Sequence, residues 1–175
     1  STRLGGRVER TDIGGNFQQG DAQRFTIHYT NLLPNVALTY NLKQPGSSLR
    51  ASYSRRIQRP SIFYLNPYYN RLDPYNVQQG NPRLDAEFSD NYELNMNTFV
   101  KGSVINLTAY ARITNNAIEG IRSTRDTLVE NLTRQITYTT YGNVARNQSF
   151  GLNLFGSVKP LPKWDVSGNV NTYYV

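Results

Sequence analysis

Apolar and polar residues alternate along most of this chain, and a period of two marks strands that show one face to each side of a sheet. The clearest case runs from Ile105 to Ile113, where Ile105, Leu107, Ala109, Ala111 and Ile113 oppose Asn106, Thr108, Tyr110 and Arg112. The same pattern sets Val36, Leu38, Tyr40 and Leu42 against Asn35, Ala37, Thr39 and Asn41. It then sets Leu49, Ala51, Tyr53 and Ile57 against Arg50, Ser52, Ser54 and Arg56. Over 88–100 it opposes Tyr92, Leu94, Met96 and Val100 to Asn91, Glu93, Asn95 and Asn97. Phe150, Leu152, Leu154 and Val158 carry it further, as do Trp164, Val166 and Val170. With a looser start through Leu4, Gly6 and Val8, the pattern predicts about seven antiparallel strands and no helix.

The connections alternate between short and long. Gln44-Pro45-Gly46-Ser47, Lys101-Gly102-Ser103 and Pro160-Leu161-Pro162-Lys163 read as tight turns. Between them lie a Gly- and Gln-rich loop over 12–24, the stretch Arg59 to Glu87, and a tip near Ser123–Glu130. Four of the eight prolines, Pro60, Pro67, Pro74 and Pro82, fall in Arg59–Glu87. Each fixes its own φ and lacks an N–H, so this stretch is expected to hold neither a helix nor an inner strand. Its Phe63, Tyr64, Tyr68, Tyr69 and Tyr75 speak for an ordered, functional loop, since disordered segments are poor in aromatics. No domain boundary and no fixed-period repeat is visible, so residues 1–175 read as a single unit.

Two all-β architectures accommodate the alternation. A soluble sandwich buries the apolar faces between two sheets. A transmembrane barrel turns them to lipid and the polar faces to a lumen. Short turns on one side with long loops on the other favour the barrel. So does the length of the Ile105–Ile113 band, close to the roughly 9–11 residues a tilted strand needs to cross a bilayer. Polar faces such as Asn91, Glu93, Asn95 and Asn97 suit a watery lumen. Tyr40, Tyr53, Tyr92 and Trp164 stand near the ends of apolar faces, where aromatic girdles belong. Seven strands are fewer than a closed bacterial barrel, so the chain is expected to be an excerpt of something larger.

Composition narrows the chemistry. The net charge is +7, yet the positives are scattered, and Lys43, Lys101, Lys159 and Lys163 sit at or beside the short turns. A solvated surface explains them better than a nucleic-acid patch. Cysteine is absent, which excludes disulfides and thiolate metal sites. No apolar run reaches the eighteen or so residues of a membrane-spanning helix, and no secretory leader opens the chain at Ser1. The single histidine, His28, has no evident nucleophile partner, and no metal-ligand spacing occurs. Neither an enzyme, a cofactor nor a metal is expected.

The alternation assigns Leu38, Leu94, Leu107, Ala109, Leu152, Leu154 and Val166 to the lipid side. Arg50, Arg56, Glu93, Asn95, Asn97, Tyr110, Arg112 and Asn153 fall on the lumen side, where they offer donors to a polar solute or simply hydrate the space. In the long loop, Arg59, Tyr64, Tyr68, Tyr69, Arg71 and Tyr75 are the candidate ligand-binding residues. Arg55, Arg56 and Arg59, where the strand meets the loop, suit an anion or lipopolysaccharide phosphate, or more plainly a network with Glu87 or Asp90, while the tyrosines suit a sugar ring or more plainly pack the loop.

The runs LLPNVALTYNL, SLRASYSRRIQRPSIFYLNP, DPYNVQQGNPRLDAE and NYELNMNTF resemble the β-barrel portion of TonB-dependent outer-membrane receptors. The resemblance is strongest to the Bacteroidetes type, with its YS-x-R-I-x-RPS, LNP and GNP elements. Ala86 stands before Glu87 where that pattern has proline. TAYARITNNAIEGI and YGNVARNQSFGLNLFGSVKPLPKW resemble the strands that follow. The resemblance implies a barrel of about twenty-two strands, closed by a separate plug, that imports siderophores, cobalamin, glycans or peptides. It implies a Gram-negative outer-membrane location. The implied partners are outer-membrane lipid and lipopolysaccharide, TonB and a plug through the full-length protein, and a surface lipoprotein. The competing expectation is a soluble β-sandwich carbohydrate-binding module that uses the aromatic loop 59–87.

Overall fold

Alternating side chains and paired backbones carry the chain back and forth in one continuous sheet. The computed structural model describes residues 1–17, 23–100, 102–129, 132–161 and 163–175, without the side chains of residues 17, 23, 71 and 129. The elements are β1 (Thr2–Phe17), β2 (Gln23–Asn41), β3 (Ser48–Gln58), α1 (Ile62–Leu65), β4 (Tyr69–Asp73), β5 (Asn76–Gln79), β6 (Glu87–Val100), β7 (Ser103–Val129), β8 (Leu132–Leu161) and β9 (Trp164–Tyr174). Seven long strands pair antiparallel in chain order, β1-β2-β3-β6-β7-β8, with β9 on β8. They are the seven the alternation predicts, and the sheet curls into part of a barrel.

Register brings like residues together across every strand. One row runs Leu38–Ala51–Leu94–Ala109–Leu152, and a neighbouring row Tyr40–Leu49–Met96–Leu107–Leu154–Val170. Val166 faces Val158 on the same side. One residue along each strand, the polar rows run Thr39–Arg50–Asn95–Thr108–Asn153–Asn171 and Asn35–Ser54–Asn91–Arg112–Ser149. The apolar and polar residues that alternate along the sequence therefore lie in separate rows on the two opposite faces of one sheet. The polar side is the more enclosed: Ala37 is 5% exposed and its neighbour Leu38 50%. That difference fits a sheet curled with its polar face inward. On the same inner face the Tyr110 ring lies over Gly151, its direct cross-strand partner, where any larger residue would collide with it.

Leu94, Leu152 and Leu154 remain about half exposed on the outer face, and no second sheet covers them among the described residues. The sandwich alternative is thereby overturned. A sandwich needs a facing sheet to bury this band, whereas an apolar face left open suits lipid as its solvent. No helix of the described residues is long and apolar enough to cross a membrane.

Three expectations about the long connections change. Of the loop expected over 12–24, residues 12–17 and 23–24 are paired strand, with β1 and β2 in register as far as Phe17 and Gln23, while 18–22 lie outside the described residues. β7 and β8 likewise stay paired as far as Val129 and Leu132, so most of the tip expected over Ser123–Glu130 is strand. Backbone pairing needs no apolar alternation, so these hairpins continue past the apolar band with polar side chains on both faces. Thirdly, Arg59–Glu87 contains α1, β4 and β5, and β5 pairs parallel with β8, which departs from the all-antiparallel expectation. The prolines interrupt these pieces without preventing them. Gly46 and Gly102, both at positive φ, close two of the short turns.

Candidate functional site

The long loop over Arg59–Glu87 is a folded unit with a small core at its base. Leu65 and Leu84 are each 1% exposed, and Val77, Ala86, Ala117 and Ile136 are also buried. Two backbone hydrogen bonds close it: Gly80 donates to the Asn66 carbonyl at 2.9 Å and Asn81 to the Tyr64 carbonyl at 2.6 Å. Gly80 is required there, because an added Cβ would meet the Tyr64 and Asn66 carbonyl oxygens. Asparagines terminate the pieces by accepting from backbone amides two residues on: Asn66 from Tyr68, Asn70 from Leu72 and Asn81 from Arg83.

Asp73 does the same for Tyr75 and also accepts from the Asn76 side chain. The Asn76 amide is the larger influence and the Tyr75 amide the next, and together they hold the Asp73 carboxyl below its usual pKa. Asp12, on the β1–β2 extension, is lowered in the same way, chiefly by its hydrogen bond with His28.

The loop docks on the β7–β8 extension. β5 lies beside Thr137–Thr139, and the Tyr75 carbonyl accepts from the Thr137 amide at 2.8 Å. Asn81 donates to the Tyr141 carbonyl at 2.9 Å, and the Gln78 side chain donates to the Tyr141 hydroxyl. Asn143 holds the loop's exit: it accepts from the Asp85 amide at 2.9 Å and donates to the Asp85 carbonyl at 3.0 Å. It also donates to the carbonyl of Asn116 at 2.7 Å. Asn116 has φ 57° and lies in a bulge of β7, which bends the hairpin where the loop rests.

Between loop and hairpin lies a crevice of ≈ 550 Å³, walled by Phe63, Tyr68, Leu72 and Tyr141 and by the amides of Asn66, Asn70 and Gln78. Among the described residues its lining carries no ionisable acid or base apart from the two phenols. Phe63 and Tyr68 are more than half exposed, which leaves their surfaces open to a ligand.

Of the residues nominated from sequence, Tyr68 lines this crevice. Tyr64 packs on Tyr141 with ring centroids 4.6 Å apart. Tyr69 begins β4 and is 45% exposed. Tyr75 lies under the Arg134 guanidinium, 5.5 Å from the ring centroid, and accepts from Arg134 Nη1 at 2.7 Å. Arg59 is directed elsewhere: it donates to Thr11 Oγ1 at 2.9 Å and forms an ion pair with Glu9, tying the loop's entry to β1. The Arg71 side chain lies outside the described residues. Phe63, Asn66, Asn70, Gln78 and Tyr141 were missed. Tyr141 comes from a strand sixty-odd residues away, and only the parallel β5–β8 pairing brings it here.

On the outer face, Arg55 grips Asp90 through two nitrogens, at 2.8 and 3.0 Å, and Tyr53 donates to the same carboxylate at 2.8 Å. The cluster stands one pair beyond the Tyr53–Tyr92 rings, at the edge of the apolar band. No group of histidine and acidic residues able to hold a metal occurs among the described residues.

A model of the outer membrane protein beta-barrel family matches residues 1–175. The chain belongs to that family. Its place is accordingly the outer membrane. No curated protein matches the sequence.

Among solved structures, the fold is similar to the siderophore receptor PirA from Pseudomonas aeruginosa. The identity is 18% and the TM-score 0.68, over 97% of this chain and 34% of that one. It is also similar to the ferric enterobactin receptor PfeA from the same organism, in complex with enterobactin, at 21% identity and TM-score 0.69. That likeness covers 96% of this chain and 27% of PfeA. The copper transporter OprC is a third, at 15% identity and TM-score 0.67, covering 99% of this chain and 26% of that one. The family chain thus spans about a quarter to a third of the length of these structures.

Proposed function

We propose that the chain is a seven-strand part of the barrel of a TonB-dependent receptor that imports a scarce solute, with the loop crevice as a capture surface. The observation that carries this reading is the continuous in-register sheet, split into apolar and polar faces, that resembles receptor and transporter barrels over 96–99% of its length. The closed barrel has about twenty-two strands, as in known plugged outer-membrane transporters. Its lumen holds a plug, and TonB supplies the energy through the full-length protein.

The crevice suits contact with a solute outside the cell because aromatic faces and amides meet there on a rigid base. Tyr68 and Tyr69 contribute open aromatic surface, while Tyr64, Tyr75 and Arg59 hold the loop in shape. Lipid and lipopolysaccharide surround the apolar face, and a surface lipoprotein caps the loops. Arg55 and Arg59 are already paired with Asp90 and Glu9, so the phosphates of lipopolysaccharide would be met by other basic groups.

Uptake by cells that carry the full-length gene tests the reading. A candidate solute (siderophore, glycan, cobalamin or peptide) should accumulate with functional TonB and fail to do so when TonB is deleted. Accumulation that is equal without TonB would overturn the energy-coupled reading.

A further inference from the structure

The inner face carries a second feature, on β1, β2 and β3. Arg3 and Arg7 lie on β1 opposite Ala37 and Leu33 of β2. Arg50 lies on β3 opposite Thr39, and Arg56 follows two residues after Ser54 on the same side of that strand. The four arginines, with Arg55 (itself paired with Asp90), border one hollow of ≈ 580 Å³ whose lining includes the small residues Gly5, Ala37 and Ser54. The small residues explain the hollow: with no bulk at Gly5 and little at Ser54, the long side chains at the corners stand above it. Strand geometry sets its scale. Arg3 and Arg7 are four residues apart, or about 13 Å, and β1 lies about 10 Å from β3 across β2.

Charge distinguishes this hollow from an ordinary hydrated wall. No acidic residue lines it. Arg7 is paired with Glu9, but Arg3, Arg50 and Arg56 make no ion pair or side-chain hydrogen bond among the described residues. Glu93, on the same face one strand further, is not paired with Arg50 either. Three uncompensated guanidiniums above one concavity, walled by protein of low dielectric, focus a positive potential into it. Guanidinium forks match carboxylate and phosphate oxygens, and the volume falls in the range that takes a small molecule.

We propose that this hollow binds a multiply charged oxyanion, a small solute with two or more carboxylate or phosphate groups, on its way through the barrel. The proposal rests on the import reading above and adds a ligand class at a site separate from the loop crevice.

The test is isothermal titration of the full-length receptor in detergent with pyrophosphate and with citrate, and with sucrose as an uncharged control. Either anion should bind, more weakly as salt rises, and sucrose should not bind at this site. Arg50→Gln with Arg56→Gln should weaken anion binding by about tenfold or more. Arg83→Gln with Arg122→Gln, an equal loss of charge at exposed positions outside the hollow, should leave it unchanged. Should the first pair fail to fold, as judged by heat-modifiable migration in gels, Arg3→Gln provides the same test from another strand. Absence of anion binding by the parent protein would overturn the proposal, as would equal binding by the hollow variants. Binding that emerges only after the plug is removed would also overturn it and assign the arginines to an acidic plug surface. The import reading survives any of these failures if uptake still depends on TonB.

Discussion

Replacing Gly80 by alanine should loosen the long loop while leaving the strands of the sheet intact. The new Cβ would approach the Asn66 amide nitrogen to 2.8 Å and the Tyr64 and Asn66 carbonyl oxygens more closely still. All three atoms are backbone, so no side chain can rotate away and the two segments must separate. Separation removes the bonds from the Gly80 and Asn81 amides, each contributing about 0.5–1.5 kcal/mol. The sum, about 1–3 kcal/mol, raises the fraction of open loop by about 5- to 150-fold. Exposure of Leu65 or Leu84, both 1% exposed in the closed loop, would add to this.

Hydrogen exchange on the full-length protein in detergent reads the change locally. Backbone amides of residues 64–66 and 77–86 should exchange faster in the variant, and those of Tyr92–Asn97 and Ile105–Ile113 should not change. Unaltered protection across 64–86 would refute the closure described for the loop. Faster exchange throughout the strands would refute its independence from the sheet.

Arginine at Leu107, on the outer face, should cost about 2–4 kcal/mol in a folding titration of the intact barrel into lipid, whereas Thr108→Arg, one residue on, should be tolerated. Equal damage from both would argue against the assignment of faces. Asn143→Ala removes three hydrogen bonds at a partly solvated site, to Asp85 and Asn116. It should release the loop's exit by about 1–2 kcal/mol, seen as faster exchange at 84–87 and 115–118.

The Asp73 carboxyl titrates below its ordinary value because its ionised form accepts from Asn76 and Tyr75. Its contribution to the β4–β5 turn is therefore present above about pH 4 and is lost as pH falls through the folded-state pKa. Exchange at 69–79, corrected for intrinsic rates, should differ between the parent and Asp73→Ala at pH 5 and converge as pH falls through the folded-state pKa. A difference that stays constant with pH would contradict this origin.

The curled sheet was legible because a sheet with two unlike faces imposes a strict period of two. Leu94, Leu107 and Leu152 could be assigned to a face from their neighbours alone. Outside the apolar band that constraint lapses. Residues 12–17 and 118–129 pair as strands with no apolar period to announce them. The loop's prolines concealed a fold held by local turns and by the contact of Gly80 with residues 64–66. Within the crevice, Tyr68 was legible as an aromatic in an ordered loop. Tyr141 was not, because its approach depends on a parallel pairing between distant strands that no local pattern encodes. Arg59, nominated as a ligand residue, proved to be directed at Glu9 and Thr11 on a strand about fifty residues earlier.

The central claim is that this sheet stands in a bilayer with its apolar rows outward. Nitroxide labels placed one at a time from Val104 to Ile113 of β7, in the full-length receptor reconstituted in lipid, test it directly. Collisions with oxygen should peak at Ile105, Leu107, Ala109, Ala111 and Ile113. A water-soluble nickel chelate should reach none of these, and oxygen should be low at Asn106, Thr108, Tyr110 and Arg112. Accessibility that lacks this two-residue period, or that reverses it, would contradict the account.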